Sequence, residues 1–208
     1  MCWSATADLA AGAGIAAVGV ACVTRARRAR DIPLAALPLL LGAHQIVESL
    51  VWHSGGGTGP ATVAWAAIAL PLLPVWVSAG VLCAAPRHAR RRLTIPLVIG
   101  VVTAAALTFA LATRPVRAEI RGHTLGYVVD LAHPELLVSG YLLATVGSLL
   151  LSGDRLRLLG LLVGAGALIC WALWELEFVS TWCGFAAVCS VALYGWVRRR
   201  PDAPGRGN

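Results

Sequence analysis

The sequence predicts an all-α fold, a polytopic membrane bundle of about seven transmembrane helices with the amino terminus outside and the carboxyl terminus inside the cytoplasm. Three observations carry that prediction. The 208 residues are 58% hydrophobic and 13% charged, with a mean hydropathy of +0.76, whereas soluble domains run nearer about 45–50% apolar and 25% charged. A water-soluble fold of this length could not hide so much apolar surface, so bilayer is the solvent that suits the composition. The apolar residues fall in segments of about the 17–25 residues that a hydrocarbon layer requires, and arginine runs separate them.

Taken in order, the segments are 5–24, 32–52, 61–84, 94–113, 136–152, 158–178 and 179–197. No basic residue precedes the first, and Arg25, Arg27, Arg28 and Arg30 follow it. It therefore lacks the basic start of a cleaved signal peptide and reads as an uncleaved anchor entering from outside. The second and fourth open on Ile32-Pro33-Leu34 and Ile95-Pro96-Leu97, with proline in the first turn, where its missing N–H costs nothing. The third ends at Arg87, Arg90, Arg91 and Arg92; the fifth ends at Arg155 and Arg157. The sixth and seventh are nearly continuous, with a turn expected around Phe178-Val179-Ser180-Thr181, and Arg198, Arg199, Arg200 and Arg206 follow the last.

All 17 basic residues are arginine, and only Arg114, Arg117 and Arg121 fall on the side opposite the rest. The positive-inside rule makes the arginine-rich side cytoplasmic. The same placement reads the net charge of +7 as membrane topology and argues against nucleic acid as a partner. One transmembrane domain, 1–200, with a cytoplasmic tail, 201–208, in a bacterial inner membrane is the expected organisation. The partners expected are the lipid bilayer and a lipophilic small molecule; nothing fixes an oligomeric state. The six cysteines include no Cys-x-x-Cys pair, and most read as small buried hydrophobes. Cys2 and Cys183 alone approach the outer face, where a disulfide between them is conceivable.

The polar residues are distributed unevenly. Asp8, Glu48, Glu119, Asp130, Glu135, Glu175 and Glu177 lie in the outer half, as do His44, His53, His123 and His133, and Trp3, Trp52, Trp65, Trp171, Trp174 and Trp182. For Trp3, Trp65 and Trp182 an interfacial aromatic belt is an equal explanation. Ionisable residues within a span are costly and mark function by default. In the second segment His44, Glu48 and Trp52 recur every fourth residue and form one stripe, with His44 roughly 18 Å and Glu48 roughly 24 Å along the helix from Ile32. That depth predicts a stripe facing the bundle interior, where a His–Glu hydrogen bond that only locks packing is the plain alternative. In the sixth, Trp171, Trp174, Glu175 and Phe178 share a face. The long loop 114–135 has a partly alternating pattern from Glu119 to Asp130, with Gly122 and Gly126 available for turns, and predicts a small hairpin or lid. Ser54-Gly55-Gly56-Gly57-Thr58-Gly59 lacks the Gly-Lys-Ser/Thr ending of a phosphate loop.

A carboxylic acid in an aromatic, water-poor pocket is kept neutral and can donate a proton, and indole faces attract cations. That pairing suits proton-initiated chemistry on a lipid-soluble alkene and needs no metal or other cofactor. Met1-Cys2-Trp3-Ser4-Ala5, the run from Pro38 to Glu48, the run from Ala118 to His123, and Trp182-Cys183 resemble a bacterial family of small seven-helix membrane proteins of uncharacterised activity, whose usual start has Phe in place of Trp3. In size, topology and acid placement the chain is also similar to the integral-membrane terpene cyclases of meroterpenoid and indole sesquiterpene biosynthesis. That likeness implies a class II-like isomerase or lyase that cyclises a prenylated substrate such as a farnesylated aromatic. Under it, Glu48 would protonate the alkene or epoxide, with His44 and Gln45 orienting it. Trp52, Trp171 and Trp174 would fold the chain, with His123 and Tyr127 also contacting substrate, and Glu175 or Asp130 would take the final proton. Two alternatives stand beside it. One is a zinc-dependent hydrolase similar in outline to seven-helix alkaline ceramidases, with His44, Glu48, His123 and His133 on the metal, although the last segment lacks that family's histidine pair. The other is a non-enzymatic membrane component that binds lipid or a partner through the outer cluster.

Overall fold

The computed structural model describes residues 4–173 and 178–199. Six helices are long and apolar enough to cross a membrane, and a seventh apolar helix is shorter, which marks the chain as a membrane protein. We label them α1 Ala5–Thr24, α2 Ala29–His53, α3 Pro60–Ala84, α4 Arg87–Thr113, α5 Pro134–Leu150, α6 Asp154–Leu173 and α7, which runs Phe178–Ser190 and Ala192–Arg198. These follow the sequence segments closely, with two shifts: α4 begins at Arg87, ahead of the expected 94, and α7 begins at the expected turn. Phe178, Ser180 and Thr181, expected to turn, are already helical in α7. The link to α6, with Trp174, Glu175 and Glu177, lies outside the described residues, as do Cys2 and Trp3.

Local chemistry explains the element ends and irregularities. Ser4 caps α1, its hydroxyl accepting from the Ala7 N–H at 3.2 Å. Pro71 has no N–H to give inside α3, and the helix widens to a π turn over Ile68–Leu72. There the Ala69 carbonyl accepts a hydrogen bond from the Tyr141 hydroxyl of α5 at 2.7 Å, which locks α3 to α5. Trp182 on α7 donates its indole N–H to the Val163 carbonyl of α6 at 3.0 Å. Trp65 and Trp182 are 0% and 5% exposed, so both belong to the core and not to an aromatic belt.

The tightest helix pair is α1 with α2, joined through small residues. A Cβ on Gly12 would lie 2.8 Å from the Gly42 carbonyl oxygen, one on Gly19 2.2 Å from the Leu39 nitrogen, and one on Gly42 2.5 Å from the Ala16 nitrogen. Only hydrogen side chains allow backbones this close, and close backbone packing is what associates helices where lipid removes the hydrophobic drive.

Between α4 and α5 the expected hairpin is present. Strands β1 Arg117–Arg121 and β2 Thr124–Val128 pair antiparallel, Ala118 opposite Tyr127 and Ile120 opposite Leu125. Gly122, at φ 61°, makes the turn. Gly126 is a strand residue paired with Glu119, not a second turn. The inward face carries Val116, Ala118 and Leu125, all buried. The glycine loop after α2 latches the hairpin: Gly57 N–H donates to the Ala118 carbonyl at 2.8 Å, and Ala118 N–H returns to Gly57 at 2.9 Å. Gly56, at φ 78°, has space for no side chain, since a Cβ would stand 2.7 Å from the Ala118 oxygen. Gly56→Ala should cost about 1–2 kcal/mol of local stability from the left-handed backbone alone. Limited trypsin digestion should then cut at Arg117 about tenfold faster than in wild type. An unchanged rate would mean that the loop does not hold the hairpin down.

Candidate functional site

Helix α2 is the most enclosed of the spans, with 61% of its apolar window buried against 28% for α1. Its inward position is what takes the expected stripe out of lipid. His44, Gln45, Glu48 and Ser49 are all at most 2% exposed, in agreement with the rule that intramembrane polar groups face the bundle.

Both oxygens of Glu48 accept hydrogen bonds. Gln45 Nε2 donates to Oε2 at 3.3 Å, and the Ser180 hydroxyl of α7 donates to Oε1. Cys183, three residues beyond Ser180, is a free buried thiol. His44 does not bond to Glu48: neither ring nitrogen has a hydrogen-bond partner. Instead its ring leans on Trp65 of α3, with centroids 5.0 Å apart and planes at 37°. Trp65 in turn stacks on Tyr127 of β2, with centroids 3.4 Å apart and planes at 2°. A continuous aromatic ladder therefore runs from α2 through α3 to the hairpin. Strand register decides its last rung, because only the inward-facing alternate residues of β2 reach the helices.

Trp52 ends the stripe differently. Its indole N–H donates to Asp8 Oδ2 of α1 at 2.9 Å, so it ties α1 to α2. Asp8 is fully buried, and its other oxygen has no hydrogen-bond partner.

A groove of about 1000 Å³ lies between α5, α6 and the hairpin. Its walls are mainly apolar and include Val138, Leu142, Val146, Leu168 and Trp171, while Tyr127 closes it on the hairpin side. Arg121 and Glu135 stand at its polar end. Trp171 is 63% exposed, presenting its indole to the groove and the lipid side. Glu48 and His44 are not on this wall; His44 connects to it through Trp65 and Tyr127.

The remaining described residues of the predicted set lie at the surface. His123 sits in the exposed hairpin turn, and His133, at φ 55°, precedes α5 in an exposed position. Asp130 is exposed and ion-paired with Arg114 at 3.3 Å. Among the described residues no three of His, Cys, Asp and Glu converge as a metal site, so His44, Glu48, His123 and His133 do not form a zinc cage. Sequence reasoning missed Ser180 and the role of Asp8 as partner to Trp52. The only trace of Ser180 is the polar pair Ser180-Thr181 in an otherwise apolar helix.

Over residues 1–207 the sequence matches the model of a family described as a family of unknown function (DUF6629). The chain belongs to that family. The match takes in every helix and the hairpin, so the ladder, the Glu48 cluster and the groove all lie within the family's shared unit. The family description assigns no activity, and no curated protein matches the sequence.

Proposed function

We propose that this chain is a seven-span protein of a bacterial inner membrane, amino terminus outside, that takes a lipophilic prenyl-type chain into the α5–α6 groove. The arginine distribution supports the orientation, and the apolar α5 helix, 17 residues long, supports the seventh span. The observation that carries the binding reading is the groove itself. It is large, apolar, polar at one end only, and walled by two aromatic residues, Tyr127 and Trp171. These are the features of a site for a long apolar molecule with a polar head.

The enzymatic form of this reading is cyclisation. Glu48 gives its proton to a terminal alkene, whose π electrons form the new C–H bond; Ser180 and Gln45 hold its carboxyl in place, the indole faces of Trp65 and Trp171 shield the cation, and the Glu48 carboxylate takes a proton back as the final alkene forms. In this form the Trp65–Tyr127 stack parts to admit the chain toward Glu48, and the hairpin serves as a lid. A second reading, binding without chemistry, is favoured by the two hydrogen bonds that already satisfy Glu48 and by its separation from the groove.

Membranes containing the protein should be exposed to a diazirine-bearing farnesyl analogue and irradiated. Label is expected on α5 and α6 peptides, competed by farnesylated indole, and lower in Val138→Trp, which sets an indole into the groove. Label spread evenly over outward-facing α4 as well would sink the groove as a site. Cyclised product from a farnesylated aromatic would select the enzymatic form.

A further inference from the structure

At the end of the bundle opposite the hairpin, a second cavity of about 380 Å³ forms where the α3–α4 turn, the α5–α6 turn and the end of α7 meet. Its rim carries His88 and Arg92 from α4, Arg155 from α6 and Arg199 from the end of α7, and Ser152 adds a hydroxyl. Among the described residues that line it none is acidic. A further cleft of about 290 Å³ between α6 and α7 shares Arg155, Arg199 and Trp196 with it, and its walls are otherwise mainly leucine and alanine. Trp196 is 8% exposed and separates the two spaces, while Leu158 beside the cleft is 58% exposed toward the lipid side.

Cations from three separate chain segments thus surround one hollow, and an apolar slot leads from the same arginines along the helices. Arginine forks match phosphate geometry. Among the described residues, Arg92, Arg155 and Arg199 have no ion-pair partner. Like charges gathered this closely repel, and a bound anion relieves the repulsion. A soluble phosphate compound would use the hollow but leave the apolar cleft empty; a phospholipid fills both. We propose that this is a binding site for the phosphate headgroup of an anionic phospholipid, with one acyl chain in the α6–α7 cleft. Basic pockets between spanning helices are suited to such headgroups. The site is distinct from the α5–α6 groove and does not depend on what that groove binds.

The test uses the full-length protein, purified in a zwitterionic detergent and titrated with phosphatidylglycerol, phosphatidylcholine or inorganic phosphate while bound lipid is counted by native mass spectrometry. Wild type should retain phosphatidylglycerol in preference to phosphatidylcholine. In the double variant Arg155→Gln/Arg199→Gln, affinity should fall about 25-fold, from two contacts each worth about fivefold. The double variant Arg91→Gln/Arg157→Gln removes the same charge from α4 and α6 at positions outside the cavity and should keep wild-type retention. An Arg155→Lys/Arg199→Lys variant should recover most of the loss, which excludes misfolding as its cause. Equal loss in both glutamine variants would reduce the effect to general surface charge and overturn the site. So would equal retention of the two lipids, or displacement of the lipid by inorganic phosphate at equal concentration.

Discussion

Gly42→Val should separate α1 from α2 and leave little folded protein in mild detergent, a loss of at least about 3 kcal/mol. The first atom of any side chain at Gly42 would stand 2.5 Å from the Ala16 nitrogen and 2.7 Å from the Gly12 oxygen. Both are backbone atoms of α1, so no rotamer change gives room; the helices have to move apart. Gly19 against Leu39 repeats the constraint about one turn away, which prevents α1 from pivoting to escape. Parting the helices also removes the Trp52–Asp8 hydrogen bond and opens the wall behind the α2 stripe. Gly14 provides the control. It lies on the same α1 helix with nothing within 4 Å of its would-be Cβ, so Gly14→Val should unfold at the wild-type temperature. Identical melting of Gly42→Val and wild type would refute close backbone packing as the basis of this pair.

Glu48 should separate into a structural and a chemical role when leucine and glutamine replacements are compared. Glu48→Leu leaves the Gln45 amide and the Ser180 hydroxyl without the acceptor each now uses. An unsatisfied buried donor costs about 1–3 kcal/mol, and the Gln45 amide is the one left behind, so a loss of about 1–3 kcal/mol is expected. Glu48→Gln is milder. Its oxygen can accept from Gln45 Nε2, and its NH₂ can donate to Ser180, since a hydroxyl accepts as readily as it donates. The glutamine variant should therefore melt within about 1 kcal/mol of wild type and still take the farnesyl label in the groove. Glutamine has no acidic proton, so any cyclisation of a farnesylated aromatic should fall by at least about a hundredfold. Full turnover by Glu48→Gln would remove Glu48 as the acid, and the same experiment would then favour binding without chemistry.

The two residues of the α2 stripe show how far periodicity reaches. His44 and Glu48 were legible as neighbours on one buried face because a helix repeats every 3.6 residues and charge is expelled from lipid. Periodicity cannot say what that face meets. The alternative of a His44–Glu48 hydrogen bond gave way to two separate sets of neighbours: Gln45 and Ser180 for the acid, and Trp65 for the imidazole. Ser180 is 132 residues from Glu48 in the chain, and no local pattern encodes a distance of that kind. The hairpin was legible from its alternation and Gly122. Its latch to Gly57 was not, because a glycine run carries no side-chain signal for a partner strand.

What the sequence determined by itself is the membrane character and the course of the spans: hydrocarbon thickness fixes segment length, and the cost of burying charge fixes where the segments end. The tertiary structure decided which polar residues share a site. It joined Tyr127 of the hairpin to Trp65 and His44, set Trp171 beside Tyr127 on the groove, and left His123 and Asp130 in solvent. The physical reason is that neighbours across helices are chosen by shape. Small residues such as Gly12, Gly19 and Gly42 set how closely two backbones approach, and that spacing determines which distant side chains come within bonding range.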